Sequence, residues 1–277
     1  MPEESLRERF ARLQCLIRAH YCHWQAEVLE EVDSTSSEAR RRIVGGSARG
    51  PFVLMALHQT AGRGRQDRQW NAPAGQALLF TAAAPLAFAG SLDSGFGRAQ
   101  SGFPITLWPL QAALVLALRL RMLGWQAELK WPNDVLLGGR KVSGVLCEVC
   151  HGWLMVGVGV NLLQTEEELA LIDGARVPAA SLATVARAGA YHLAPEDAVL
   201  SLVQGILAVI ESPWPQDRML RYYREWCVTL GTKVATVDTR GEAIAGVASW
   251  VNEDGSLAIE LPGGEMVRSV NEIKEVS

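Results

Sequence analysis

No stretch near the start of this 277-residue chain has the charged, apolar and small-residue order of a secretory leader, and no window approaches the roughly 20 apolar residues of a membrane span. A cytoplasmic protein working away from the membrane is expected. Cysteine is scarce: five residues, an odd number without framework spacing, fit reduced thiols and predict no disulfides. A broad basic surface is missing too. With 26 Lys and Arg against 30 Asp and Glu, the formal charge of −4 excludes a general electrostatic grip on nucleic acid. His20 and His23 lie on the first predicted helix without a second ligand pair at metal spacing, so no chemistry is assigned to them. Internal repeats and low-complexity tracts are absent.

What is present suits a main domain with an appendage, since domains commonly run to about 100–200 residues. Apolar residues make up 49% of the chain, enough for a sizeable core. Leu6, Phe10, Leu13 and Ile17 share one face of an amphipathic helix. Residues 26–32 read as a strand, and Asp33-Ser34-Thr35 followed by Glu38 reads as a capped helix start that Gly45-Gly46 ends. Strands are predicted at 53–58 and 76–84, a long loop at 85–104 and an apolar helix at 105–123. Short strands then crowd together at 128–131, 134–137, 141–149 and 153–160, with Gly138-Gly139 as a tight hairpin turn. Residues 164–180 read as a mobile connection, and 195–211 and 215–227 as helices.

Strands and helices mix without the alternation of a doubly wound parallel sheet. The expected fold class is α+β, a mixed, largely antiparallel sheet covered by helices. After Gly231 the texture changes to short strands with turns at Thr239-Arg240-Gly241, Glu253-Asp254-Gly255 and Pro262-Gly263-Gly264. That predicts a small β-barrel, too small to be strongly stable alone and therefore docked on the larger domain. Trp108, Trp125 and Trp153 read as packing residues.

Two segments carry chemistry. The loop 62-GRGRQDRQW-70 sets three arginines among glycines, and 130-KWPNDVLLGGRKVSGVLCE-148 presents Lys141 straight after the Gly-Gly turn. Attack of a carboxylate on an α-phosphate brings two anions together, which demands positive groups that screen both. Arg63 and Arg65 can bind carboxylate or phosphate in bidentate fashion, Gly64 lets backbone approach a ligand, and Lys141 acts as a point charge. Magnesium on the phosphates would complete the neutralisation. Taken singly, the arginines read as a solvated loop and Lys141 as an exposed strand lysine; Trp70 at the loop's end and Gln59 before it tilt the combination toward a binding site. Asp134 is either a turn residue after Asn133 or a group near magnesium or the adenylate.

These segments resemble the signature blocks of biotin protein ligases, over nearly the whole chain after residue 26. Ser34 and Thr35 match an Asp-Ser-Thr element, Gln59 the glutamine before the loop, Gly62 to Arg65 the Gly-Arg-Gly-Arg core, and Arg68 and Trp70 its end. Residues 71-NAPAGQALLF-80, 130-KWPND-134, Lys141, Gly144 and 157-GVGVN-161 match further blocks. The resemblance implies the class II synthetase-like biotin/lipoate ligase fold, with a catalytic domain at 1–229, its N-terminal helix within 1–25, and an SH3-like module at 230–277. It implies activation of biotin by ATP to biotinyl-5'-AMP, with magnesium, then transfer to a lysine of a biotin carboxyl carrier protein or domain.

Carried over by position, Ser34, Thr35, Gln59, Gly144 and the backbone around Arg63, Gly64 and Arg65 would line the biotin pocket. Lys141 would contact both biotin carboxylate and phosphate, and Arg65 would retain the adenylate. Arg63, Arg68, Trp70, Asn133 and Asn161 would lie around the nucleotide, and residues 164–180 would order over it. A monomer or weak homodimer is expected, with no nucleic acid among the partners.

The chain departs from the pattern at Asp67, where the family loop usually has a glycine. Asp tolerates a left-handed backbone, and its charge partly offsets the neighbouring arginines. A winged helix, as in the bifunctional repressor members, does not fit before Ser34, which weighs against a biotin-responsive regulator. A lipoate or octanoate ligase shares the fold and the chemistry, but the Gly-Arg-Gly-Arg block favours biotin. The remaining rival comes from 147-CEVCH-151, which fits c-type haem attachment, although strand alternation sends Cys147 and Cys150 to opposite faces.

Overall fold

The computed structural model describes residues 6–66, 68–89, 103–172, 177–188, 198–237, 242–270 and 273–275. The chain begins with helix α1 (Leu6–His20), strand β1 (Gln25–Val32), helix α2 (Thr35–Val44) and strands β2 (Phe52–Gln59) and β3 (Ala77–Pro85). A 3-10 turn at Ile105–Leu107 leads into helix α3 (Trp108–Met122), then strands β4 (Ala127–Lys130), β5 (Asp134–Leu137), β6 (Arg140–Cys150) and β7 (Trp153–Asn161). Helices α4 (Glu166–Ala170), α5 (Leu182–Ala188), α6 (Ala198–Glu211) and α7 (Gln216–Trp226) follow. Strands β8 (Lys233–Val237), β9 (Ala243–Val251), β10 (Leu257–Glu260), β11 (Met266–Ser269) and β12 (Lys274–Glu275) close the chain.

The first seven strands form one sheet in the order β1-β2-β3-β7-β6-β5-β4, in which β1 and β2 run parallel and the other neighbours antiparallel. This is the mixed, largely antiparallel α+β architecture expected. Alternation along β6 gives the sheet two different faces. Cys147 packs toward the large core that α1, α3 and α6 build with the sheet, whereas Cys150 joins Ala39 and Ile43 of α2 on the other side. The two thiols of the Cys-x-x-Cys-His stretch are thus separated by the sheet, which overturns the haem reading.

Helix α1 buries Phe10, Leu13 and Ile17 as the spacing predicts. Contrary to the expectation that no window comes near a membrane span, Ile105–Met122 is long and apolar enough by composition, with a mean hydropathy of 1.3 over 18 residues. Its setting explains the composition: α3 packs on α6, α7 and the strands β4 to β6, and a helix enclosed on most sides is apolar all round. Leu116 at its centre is fully buried. Leu116→Ala is expected to destabilise the protein by about 2–5 kcal/mol through lost transfer energy and a residual cavity, read as a lower urea midpoint.

Several local expectations are corrected. Ser34 is the N-cap of α2 in extended conformation, but its side chain makes no capping bond, and Glu38 turns instead to Arg41 and Arg42. A capping box does occur at α4, where the Thr165 hydroxyl accepts from the Glu168 N–H and the Glu168 carboxylate from the Thr165 N–H. The connection 164–180 therefore holds a short helix, and Ala179 bridges to Lys141. Gly138 and Gly139 have φ of +56° and +73°, the left-handed pair that a tight hairpin needs. The loop expected at 85–104 lies largely outside the described residues, as does the turn at Thr239-Arg240-Gly241.

The C-terminal strands form a five-stranded antiparallel sheet, β11-β10-β9-β8-β12. It docks on the rest of the chain: Trp131 Nε1 donates to the Gly255 carbonyl at 2.9 Å, and Arg224 Nη2 to the Val251 carbonyl at 2.7 Å.

Candidate active site

On the α2 face of the sheet, glycines replace side chains where strands β6 and β7 run side by side. A Cβ at Gly159 would sit 2.4 Å from Trp70 Cε2, one at Gly144 3.1 Å from Trp70 Cζ3, and one at Gly157 2.6 Å from Ser36 Oγ. The missing side chains leave a bay that α2 closes at one end and residues 62–70 cover. The resulting cavity has a volume of about 590 Å³ and is lined by all of the sequence-predicted residues: Ser34, Thr35, Gln59, Arg63, Gly64, Arg65, Arg68, Trp70, Asn133, Asp134, Lys141, Gly144 and Asn161.

The α2 end is polar and rigid. Thr35 donates its N–H and its hydroxyl to Gln59 Oε1 at 2.7 and 3.0 Å, and its hydroxyl also lies 2.8 Å from that of Thr81, which is 3.0 Å from Ser36 Oγ. Asp33 just outside is clamped by both terminal nitrogens of Arg41, a contact that holds its carboxyl at about 2.

The arginine loop is a miniature hairpin. Arg63 bridges Gln69, the Gly64 N–H donates to the Arg68 carbonyl, and the Trp70 N–H to that of Gly62. Gln66 takes the left-handed backbone, φ +53°. Asp67, where the sequence departs from the family pattern, lies outside the described residues. Gly62 is forced: a Cβ there would meet the Trp70 carbonyl oxygen at 2.3 Å.

Positive groups from two distant segments, this loop and the hairpin of β5 and β6, line the bay together. Lys141 Nζ pairs with Asp134 Oδ1 at 2.7 Å and lies 5.7 Å from the centre of the Trp70 ring. Arg65 Nη1 reaches Asn133 Oδ1 at 3.4 Å; burial pushes the Arg65 pKa down, opposed by the charge of Asp134. Arg68 Nε donates to the Arg65 carbonyl. Arg63 turns away from Arg65 and makes a bidentate pair with Glu148. Asn133 and Asn161 are held by the frame itself, Asn133 Nδ2 donating to the Val145 carbonyl and Asn161 Nδ2 to that of Ala180.

Other lining residues were not singled out from the sequence. Lys130 is nearly buried on the cavity wall, and burial lowers its pKa against the opposing pull of Asp134; its position within the Lys-Trp-Pro-Asn-Asp block was the available signal. Thr81, outside the lining itself but securing the α2 end through Thr35 and Ser36, was signalled by being the one hydroxyl in an apolar strand. Ile273 approaches from the C-terminal sheet, and nothing local in the sequence marks it. Asp134 is the one acidic lining side chain among the described residues, and they contain no cluster of three metal-ligating side chains.

A family model, the biotin/lipoate A/B protein ligase family, matches residues 28–163, the stretch that runs from β1 past the end of β7. Over that stretch the chain is similar to the biotin/lipoate A/B protein ligase family. Among curated members, biotin--[acetyl-CoA-carboxylase] ligase of Mycobacterium tuberculosis is 28% identical over 99% of this chain and 95% of its own length. The ligase of that name from Paracoccus denitrificans is 37% identical over 54% of this chain and 60% of its own. Biotin protein ligase from Aquifex aeolicus, solved with biotin and ATP, superposes with a TM-score of 0.70 at 22% identity, covering 91% of this chain and 99% of that one, a likeness of fold. The sequence-predicted residues of the cation-lined bay all fall within the stretch that the family model matches.

Proposed function

We propose that this protein is an enzyme that joins biotin to AMP at the expense of ATP and then transfers the biotinyl group to a lysine of a carrier domain. The observation that carries the reading is the meeting of Arg65 and Lys141, from separate segments, around one cavity whose lining has Asp134 as its acidic group. In the first step a biotin carboxylate oxygen attacks the α-phosphorus and the bond to pyrophosphate breaks. In the second, an acceptor lysine nitrogen attacks the acyl carbon and AMP leaves with the electron pair.

The residues divide the work by chemistry. Ser34, Thr35 and Gln59 present hydroxyl and amide groups to the ureido end of biotin, with the backbone of Arg63, Gly64 and Gly144 beside its chain. Lys141 sits where carboxylate and phosphate meet, and Arg65 holds the mixed anhydride. Arg68, Trp70 and the frame around Asn133 and Asn161 border the nucleotide; Trp70 Nε1, buried without a hydrogen-bond partner, is a donor still to be used. Asp134 is the carboxylate that would hold a magnesium ion, and the ion would neutralise phosphate charge. The covering loop excludes water, which would otherwise hydrolyse the anhydride.

Biotin-dependent ATP–pyrophosphate exchange, followed by labelling of a carrier domain with radioactive biotin, tests the reading. Exchange with biotin and not with lipoate is the expected outcome. A wild-type protein inert with biotin would end the proposal, and one active only with lipoate would move the substrate to the other branch of the family.

A further inference from the structure

Glu148 shares a face of β6 with Gly144 and Leu146 and stands at the rim of the bay, between α2 and the arginine loop. Two arginines close on it. Arg40 Nη2 of α2 donates to Oε1 at 2.8 Å, while Arg63 donates through Nη1 to Oε2 at 3.1 Å and through Nη2 to Oε1 at 3.2 Å. The Glu148 side chain is 18% exposed against 42% and 39% for the two arginines, so the carboxylate is the sheltered member of the trio.

The surroundings give this contact its weight. Strand β5 stops pairing with β6 opposite Gly144, so no ladder from β5 reaches the stretch around Glu148. The backbone bonds within residues 62–70 close the loop on itself and do not attach it to β6. Among the described residues, side-chain contacts that attach the loop to the sheet include Trp70 against the glycines, the long Arg65–Asn133 contact and the bidentate Arg63–Glu148 pair. The bidentate pair is the most directional of these.

We infer that Glu148 is a positioning residue which, by gripping Arg63, holds the loop closed so that Arg65 and Trp70 stay against the acyl-adenylate. The inference rests on the proposed biotin-activating function. It also makes the Arg63 side chain an anchor for the loop, with the screening of phosphate left to Arg65, Lys141 and Lys130. An ion pair this close to solvent adds little to global stability, yet the same free energy acts in full on a local opening of the loop.

Glu148→Gln and Glu148→Asp in the full chain separate these effects. Hydrogen exchange without ligand is the first readout: the Gln variant is expected to speed exchange at Gly64, Arg68 and Trp70 by about 5-fold or more, with β3 and β7 unchanged. With biotin and ATP, the Gln variant should raise KM for biotin and release biotinyl-adenylate about 10-fold faster, while kcat for pyrophosphate exchange stays within about 2-fold. The Asp variant should recover part of both effects. Arg63→Gln should loosen the loop equally, and adding Glu148→Gln to it should loosen it no further, as expected of partners in one contact. Loop exchange and adenylate release in Glu148→Gln equal to wild type would overturn the inference. A wild-type protein that forms no adenylate would sink the proposed function instead, and the ligand-free exchange would still decide whether Glu148 holds the loop.

Discussion

Lys141→Ala is expected to lose biotin-dependent pyrophosphate exchange by about 10²- to 10³-fold, the usual cost of removing a preorganised group that stabilises developing charge. The position is built for a fixed cation. The hairpin turn at Gly138-Gly139 starts β6, the Lys141 N–H donates to the Pro178 carbonyl, and its own carbonyl accepts from Ala180, so the strand is held on both sides. From there Nζ reaches Asp134 at 2.7 Å. Removing the ammonium deletes the attraction for carboxylate and phosphate, and it also leaves Asp134 facing both anions without its nearest partner. The side chain lies on the cavity wall outside the apolar core, so the circular dichroism spectrum should be unchanged. Undiminished exchange in Lys141→Ala would remove the residue from the chemistry and the proposed mechanism with it.

Much of this arrangement could be read from the residues alone, for identifiable reasons. Strands β4 to β7 announce themselves because their apolar runs are bounded by turn residues whose backbone needs are specific, Gly138-Gly139 above all. The cationic loop and Lys141 were legible because their chemistry is dense in sequence. What stayed hidden depends on distance. That Asp134 pairs with Lys141, that Glu148 takes Arg40 and Arg63, and that Ile273 reaches the bay from the C-terminal sheet are consequences of packing between elements, and no local pattern encodes them. The capping motif failed at Ser34 on spacing: with Ser34 as N-cap the third helical residue is Ser37, so Glu38 lies one position too far along and pairs with Arg41 and Arg42, while the Thr35 N–H finds Gln59 Oε1. Helix α3 was legible as an apolar helix, but its resemblance by composition to a membrane span is settled by α6 and α7 packing against it.

Gly159→Ala should weaken biotin binding by about 10- to 100-fold with the fold retained, because one methyl group is placed where the indole of Trp70 already lies. The new Cβ would be 2.4 Å from Trp70 Cε2 and 2.8 Å from both Cδ2 and Cζ2, distances at which something must move. The sheet cannot give way, since Gly159 pairs with Leu79 on one side and Gly144 on the other in the middle of seven strands. The loop can, and overpacking of about 1–3 kcal/mol falls on it. As the indole lifts, Arg65 is carried off with it, so affinity should fall while the melting temperature barely changes. Gly144→Ala makes the graded control: its Cβ would be 3.1 Å from the ring edge and 3.3 Å from Lys141 Nζ, a tighter fit without outright collision, and its effect should be smaller. Shrinking the ring by Trp70→Phe in the Gly159→Ala background should recover part of the loss, because the clash is with the benzo ring of the indole. Titration calorimetry with biotin reads all four proteins; affinity in Gly159→Ala equal to wild type would mean that the seat of the indole on the glycines does not set how the loop closes over biotin.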